Sequence, residues 1–361
     1  MEEELKFYEQ GSGSTPTEID YYVKASKVKV NTGNGITSDN AQSALEELAA
    51  GVGALSVTAA KAPLMKNHPY PYGKEVLKIL AIGNSFTEYP LDYLGSMLSS
   101  SGCDTTKVCI YAMTAPGQDL EYWLNAYEAG THDANTVANK RVGSASVASG
   151  GGATTQPNSA TVASVLANDW DIVVFQQLSS KAATYSTYNP YLKKLVQAVR
   201  RHCPNKRVAI AWQMVWTRTT NPATSITNIV NATQQMCAYN GIDIIIPSGM
   251  ALENAKGNST LNSNGGSLLA DGVHPARGVG KYVVSAAWWE ALLAPHFDVS
   301  ILGNTFVHTP NGSTVNITGT GEDATTNSVA VTNDNKELCQ LAAVYAVGNM
   351  YEVTTLSSTT T

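Results

Sequence analysis

From residue 76 to residue 246 the chain repeats one device. A short apolar run is followed by a polar or small-residue end, and then by a segment whose apolar residues recur at helical spacing. This alternation constrains the fold more than any other feature, because parallel strands need a covering crossover at every step. Strands are expected at Val76 to Ile82, Thr106 to Ala112, Ile172 to Phe175, Arg207 to Trp212 and Ile242 to Ile246. Helices are expected at Tyr89 to Leu98, Gln118 to Tyr127, Thr161 to Asn168, Tyr191 to His202 and Ser225 to Tyr239. A long helix from Arg277 to Leu293 and an amphipathic one from Glu337 to Val347 complete the pattern. The expected class is α/β, with a central parallel five-stranded sheet covered on both faces.

Composition bounds what such a domain does. The 361 residues carry a net charge of −6 and no basic tract, which argues against nucleic acid as a partner. No apolar run reaches transmembrane length, so no membrane span is expected. The five cysteines are scattered without C-x-x-C spacing, and only Cys103 and Cys109 lie close enough to raise the question of a bridge. The six histidines are isolated and form no H-E-x-x-H pattern, so neither a metal nor a cofactor is implied. The acidic start, Met1-Glu2-Glu3-Glu4-Leu5-Lys6, has no apolar core and is not a secretory signal. That reading leaves the cytosol or another route of release.

Four regions follow from the pattern. Residues 1–60 hold a small strand–helix segment, with a weak strand over Tyr21 to Val30 and a short helix opened by Asp39 and Gln42 in capping-box spacing. Residues 61–73, with Pro63, Pro69 and Pro71, read as a linker. Residues 74–350 form the main domain, and 351–361 a flexible tail. Within the domain, 131–156 and 297–332 are long Gly/Ser/Thr/Asn-rich stretches that ordinary connectors do not need. One strand and one short helix cannot bury a core alone. The N-terminal segment therefore rests on the main domain or serves in assembly.

The chemistry is expected where Leu77-Lys78-Ile79-Leu80-Ala81-Ile82-Gly83 gives way to Asn84-Ser85. Ser85 then stands at the carboxyl end of a strand and beside a helix N-terminus, where α/β sheets place ligands and unpaired N–H groups face a developing anion. A serine there is a helix cap or a nucleophile. Asp271 and His274, three residues apart before the long helix, are a surface pair or the other half of a triad. In the second case Asp271 orients the imidazole through Nδ1, and Nε2 takes the Ser85 proton.

The Gly83-Asn84-Ser85 block together with Asp271-Gly272-Val273-His274 resembles the SGNH (GDSL-like) hydrolase superfamily. The resemblance implies a flavodoxin-like three-layer α/β/α sandwich and ester hydrolysis by Ser85, His274 and Asp271. It implies an oxyanion hole made of the Ser85 N–H, the Gly117 N–H and a side-chain amide. The family's G-x-N-D block is absent, and Phe175-Gln176-Gln177-Leu178-Ser179 stands in its place. Gln177 is taken as the amide donor, with Gln176 on the opposite face of the sheet. Asn84 replaces the Asp of the G-D-S-L form and is given no role beyond shaping the turn. Trp212, Gln213 and Trp216 line the cleft or belong to the core. Separately, Ile36 to Leu48 resembles a short module near the N-termini of bacteriophage tail and fibre proteins. Together these imply an O-acetylesterase acting on acylated carbohydrate, carried as a homotrimer among phage tail or baseplate proteins on the virion. A glycan-binding adhesin on the same fold, or a bacterial esterase unrelated to virions, are the alternatives.

Overall fold

The computed structural model describes residues 74–130, 138–143, 161–220, 223–242, 244–263, 268–310 and 328–356. The readings for residues 1–73, including the linker, lie outside the described residues, as do those for most of 131–156 and for 311–327.

The sheet is built from β1 (Leu77–Gly83), β2 (Val108–Thr114), β3 (Ala138–Val142), β4 (Ile172–Phe175), β5 (Ala209–Gln213) and β6 (Ile244–Ile246). Its order is β3-β2-β1-β4-β5-β6. The strands β2-β1-β4-β5-β6 are mutually parallel, with Leu77 beside Val108 and Ile79 beside Ile172. Counting parallel strands alone, this is the flavodoxin-like 2-1-3-4-5 order, with a topological switch between β1 and β4. The expected five parallel strands are present. A sixth, β3, pairs antiparallel with β2 at the edge, from Ile110–Val142 to Thr114–Ala138. Its sequence is Ala-Asn-Lys-Arg-Val.

The helices are α1 (Ser85–Ser100), α2 (Leu120–Ala129), α3 (Val162–Leu166), α4 (Tyr191–His202), α5 (Ile226–Asn240) and α6 (Ser248–Lys256). Then α7 (Val279–Trp288) runs through a π turn at Trp289–Leu293 into α8 (Ala294–Phe297), and α9 (Lys336–Gly348) closes the domain. One layer joins α1, α6, α7 and α9, and the other joins α2, α3 and α4. The result is a three-layer α/β/α sandwich. With both faces covered, β1, β2 and β4 are almost wholly apolar and buried.

Three expectations need correction. Helix α1 begins at Ser85, four residues before the expected Tyr89, although Pro90 lies inside it. Proline cannot donate to the carbonyl four residues back. That carbonyl, Phe86 O, accepts from the buried Gln213 Nε2 at 2.8 Å instead. Helix α6 was not expected at all. The tail does not fray at residue 351, because Thr354 N–H donates to Asn254 Oδ1 at 2.7 Å and Leu356 is buried. No disulfide joins Cys103 and Cys109. Among the described residues, no helix is long and apolar enough to cross a membrane.

Candidate active site

Ser85 is the first residue of α1 and stands two positions past the end of β1. Asn84, between them, is the N-cap. Its Oδ1 accepts from Phe86 N–H at 2.9 Å, which satisfies one of the four unpaired donors of a helix start. Its Nδ2 donates to Gln118 O at 2.8 Å and ties this turn to the one after β2. Asn84 therefore does more than shape a turn. Gly83 allows the close passage, since a Cβ there would stand 2.2 Å from Thr87 Oγ1 and 2.7 Å from Gln176 Cγ.

The turn after β2 runs Ala115-Pro116-Gly117-Gln118, closed by Gln118 N–H to Ala115 O at 3.1 Å. Gly117 has φ +69°, as the third position of a type II turn after proline requires. A Cβ on Gly117 would meet nothing within 4 Å, so space opens beside it. Neither the Gly117 N–H nor the Ser85 N–H is engaged by another described residue. The Ser85 N–H also stands at the positive end of α1.

His274 arrives from the far end of the domain. Its Nε2 lies 3.2 Å from Ser85 Oγ, and its Nδ1 lies 2.7 Å from Asp271 Oδ2. The spacing of the two residues is what permits this. Asp271 Oδ1 accepts the Val273 and His274 N–H groups at 2.8 and 2.7 Å, which curls the chain so that Oδ2 meets the ring. Gly272 takes φ +78° within that curl. Burial by itself would raise the Asp271 carboxyl, but the hydrogen bonds from His274 and Val273 and the nearby ring outweigh it and hold the carboxyl below the ordinary Asp value. A carboxylate on Nδ1 leaves Nε2 facing the hydroxyl as a proton acceptor.

The two glutamines after β4, of which Gln177 is the expected amide donor, differ in the partners that their amides have. Gln177 Nε2 donates to Thr187 O at 2.8 Å, and its Oε1 accepts from Leu178 N–H at 2.8 Å. That amide braces the loop after β4 and is not available to a substrate. Gln176 is buried, and both of its amide atoms lack a hydrogen-bond partner. It lies over Gly83, two residues from Ser85. A buried amide without a partner is unfavourable by about 1–3 kcal/mol, and such groups mark places where a ligand or water completes the pairing.

The cleft reading of the three residues near β5 also fails. Trp212, Gln213 and Trp216 are fully buried. Trp216 stacks on Phe86, ring centres 4.0 Å apart and planes 10° from parallel, and donates Nε1–H to Val273 O at 2.7 Å. Sequence reasoning missed this contact. The ring of His274 meets Tyr89 at 5.1 Å and the edge of Phe86 at 5.9 Å. Among the described residues no group of three His, Cys, Asp or Glu is placed to hold a metal ion.

Fold and site together define a doubly wound α/β protein with a Ser–His–Asp array at the carboxyl ends of its strands, beside the switch point. The chain matches the model described as "Domain of unknown function (DUF4886)" over residues 78–320, and it belongs to that family. A crystal structure of a DUF4886 family protein from Bacteroides uniformis ATCC 8492 is 25% identical and covers 78% of this chain and 98% of its own, with a TM-score of 0.60. A protein from Slackia heliotrinireducens, provisionally described as an SGNH hydrolase, is 20% identical over 60% of this chain and 98% of its own. Its TM-score of 0.37 is too low to carry an argument. No curated protein matches the chain.

Proposed function

We propose that the protein is a serine esterase of the SGNH type that removes O-acetyl groups from carbohydrate. The observation that carries this reading is the continuous array from Ser85 Oγ to His274 Nε2 at 3.2 Å and from His274 Nδ1 to Asp271 Oδ2 at 2.7 Å. In this reading His274 takes the Ser85 proton as Oγ attacks the ester carbonyl. The carbonyl oxygen becomes an oxyanion facing the Ser85 N–H, the Gly117 N–H and the amide of Gln176, which replaces Gln177 as the side-chain donor. Collapse expels the sugar hydroxyl, which receives its proton from His274. Water, deprotonated by the same imidazole, then attacks the acyl-serine and releases acetate. Asp271 holds the ring and offsets its transient charge.

Ser85→Ala is the test. The account expects acetate release from an acetylated polysaccharide to fall by roughly 10⁴-fold or more while the fold is kept. Unchanged release would reject the assignment. A glycan-binding adhesin without turnover would show binding and no acetate from wild type. Attachment to a phage tail, a homotrimeric state and a virion location rest on the resemblance of residues 36–48 alone. Mass measurement before and after removal of residues 1–60 tests them, and a monomer in both states would end that part of the reading.

A further inference from the structure

We infer that Trp216 is a positioning residue: its indole fixes His274 against Ser85 by linking the two turns that carry them. The inference rests on the hydrolytic reading and adds the element that sets its geometry.

The two turns are separate local structures. The Asp271 hydrogen bonds fix carboxylate to imidazole, but they are internal to residues 271–274 and say nothing about where Ser85 lies. The Asp271 side chain is 51% exposed and that of His274 is 22% exposed, and within the turn only Val273 leans on the core. The His274 ring itself meets Phe86 and Tyr89 of α1, and a second link runs through Trp216. Trp216 touches both sides, each time one residue from a reacting group. It lies flat on Phe86, the residue after Ser85, and its Nε1–H donates to the carbonyl of Val273, the residue before His274. That carbonyl belongs to the peptide plane joining Val273 to His274. Holding it sets the direction in which the imidazole leaves the backbone.

The indole is itself immobilised. It is wholly buried. Its backbone is pressed against the first turn of α6, where Gly249 N–H donates to Met214 O at 2.9 Å. A Cβ on Gly249 would stand 2.2 Å from Val215 O and 3.2 Å from Trp216 Cα. A second bond from the same segment, Thr219 N–H to Gly272 O at 2.9 Å, keeps the acid–base turn on the loop after β5. The loop after β5 thus spans from nucleophile to base through one rigid ring. Placement errors near 1 Å at a reacting group are worth about 10²-fold in rate.

The experiment reads Ser85 reactivity without relying on a natural substrate. Wild type and Trp216→Phe are treated with a fluorophosphonate, and the rate of labelling at Ser85 is followed by peptide mass. Turnover of p-nitrophenyl acetate is measured alongside. Phenylalanine keeps a ring for Phe86 and removes the donor. Labelling and kcat are expected to fall by roughly 30–100-fold. KM should stay within about twofold, since a positioning group acts on the transition state. A second variant carries β-(3-benzothienyl)alanine at position 216, which has the shape of tryptophan without the N–H. It should show the same fall with an unchanged melting temperature, and 5-fluorotryptophan at 216 should keep the wild-type rate. Wild-type rates in the benzothienyl variant would overturn the inference while leaving the esterase reading standing. Absence of labelling at Ser85 in wild type would overturn the esterase reading and this inference with it.

Discussion

The serine and the imidazole that meet at 3.2 Å reach that point through different kinds of structure. Ser85 extends a buried central strand into a capped helix, and its neighbours Gly83, Asn84 and Phe86 are all buried. Asp271 and His274 stand on a half-exposed turn held by side-chain and backbone hydrogen bonds. The place of Ser85 comes from packing that the whole domain shares. That of His274 comes largely from a few directional contacts. Damage to the packing around Ser85, as distinct from loss of its hydroxyl, should therefore appear in stability, and damage to the turn of Asp271 and His274 in rate.

The largest expected effect lies in the turn of Asp271 and His274. His274→Ala should lower kcat by roughly 10⁵-fold and Asp271→Asn by roughly 10⁴-fold, with melting temperatures close to wild type. A large loss of thermal stability in either variant would show that the turn supports the fold as well.

The two glutamines sharpen the contrast within one strand end. Gln176→Ala should lower kcat by about 10²–10³-fold. Gln177→Ala should act on stability, by about 1–3 kcal/mol in urea unfolding, because it strips partners from the loop after β4. If the two results are exchanged, Gln177 is the donor after all.

A pair of glycines gives the same comparison in the backbone. Gly83→Ala drives a Cβ into Thr87 and Gln176 in the interior and should cost about 1–3 kcal/mol of global stability or more. Gly272→Ala meets the ends of the Thr219 and Thr220 side chains, which can move, at a position with φ +78°. It should lower kcat more than it lowers the melting temperature.

The smallest effect concerns pH. The folded Asp271 carboxyl titrates below its ordinary value, so its ionised form favours the native state. That contribution is fully present above the unfolded value of about 3.9 and is lost as pH falls through the lower folded value. The stability difference between wild type and Asp271→Asn should thus shrink as pH falls below about 3.9. A difference that vanishes near neutrality would contradict the geometry of the turn.

Much of this was legible in the chain itself, for physical reasons. Ile172 to Phe175 and Tyr191 to His202 coincide with β4 and α4, because one is a fully buried apolar run and the other a strongly amphipathic helix. Ser85, Asp271 and His274 could be singled out because strand ends and short acid–base spacings leave local signals. Strand β3 escaped notice because Ala138 to Val142 has no alternation and carries Lys140 and Arg141. The start of α1 was misplaced because Pro90 hides a helix whose missing bond is supplied by Gln213, more than a hundred residues away. Strand parity put Gln176 and Gln177 on opposite faces but could not say on which face the partners lie. The role of Trp216 was invisible because it joins residues far apart in the chain, and burial and function there are the same contact.

The central claim is that the Ser85 hydroxyl becomes covalently acylated once His274 has taken its proton. Rapid acid quenching of the protein with p-nitrophenyl acetate, followed by peptide mass analysis, tests it directly. The account predicts an acetyl group on the peptide carrying Ser85, absent from Ser85→Ala and from His274→Ala. Continued turnover with the acetyl group on another residue, or with none on the protein at any time, would contradict it.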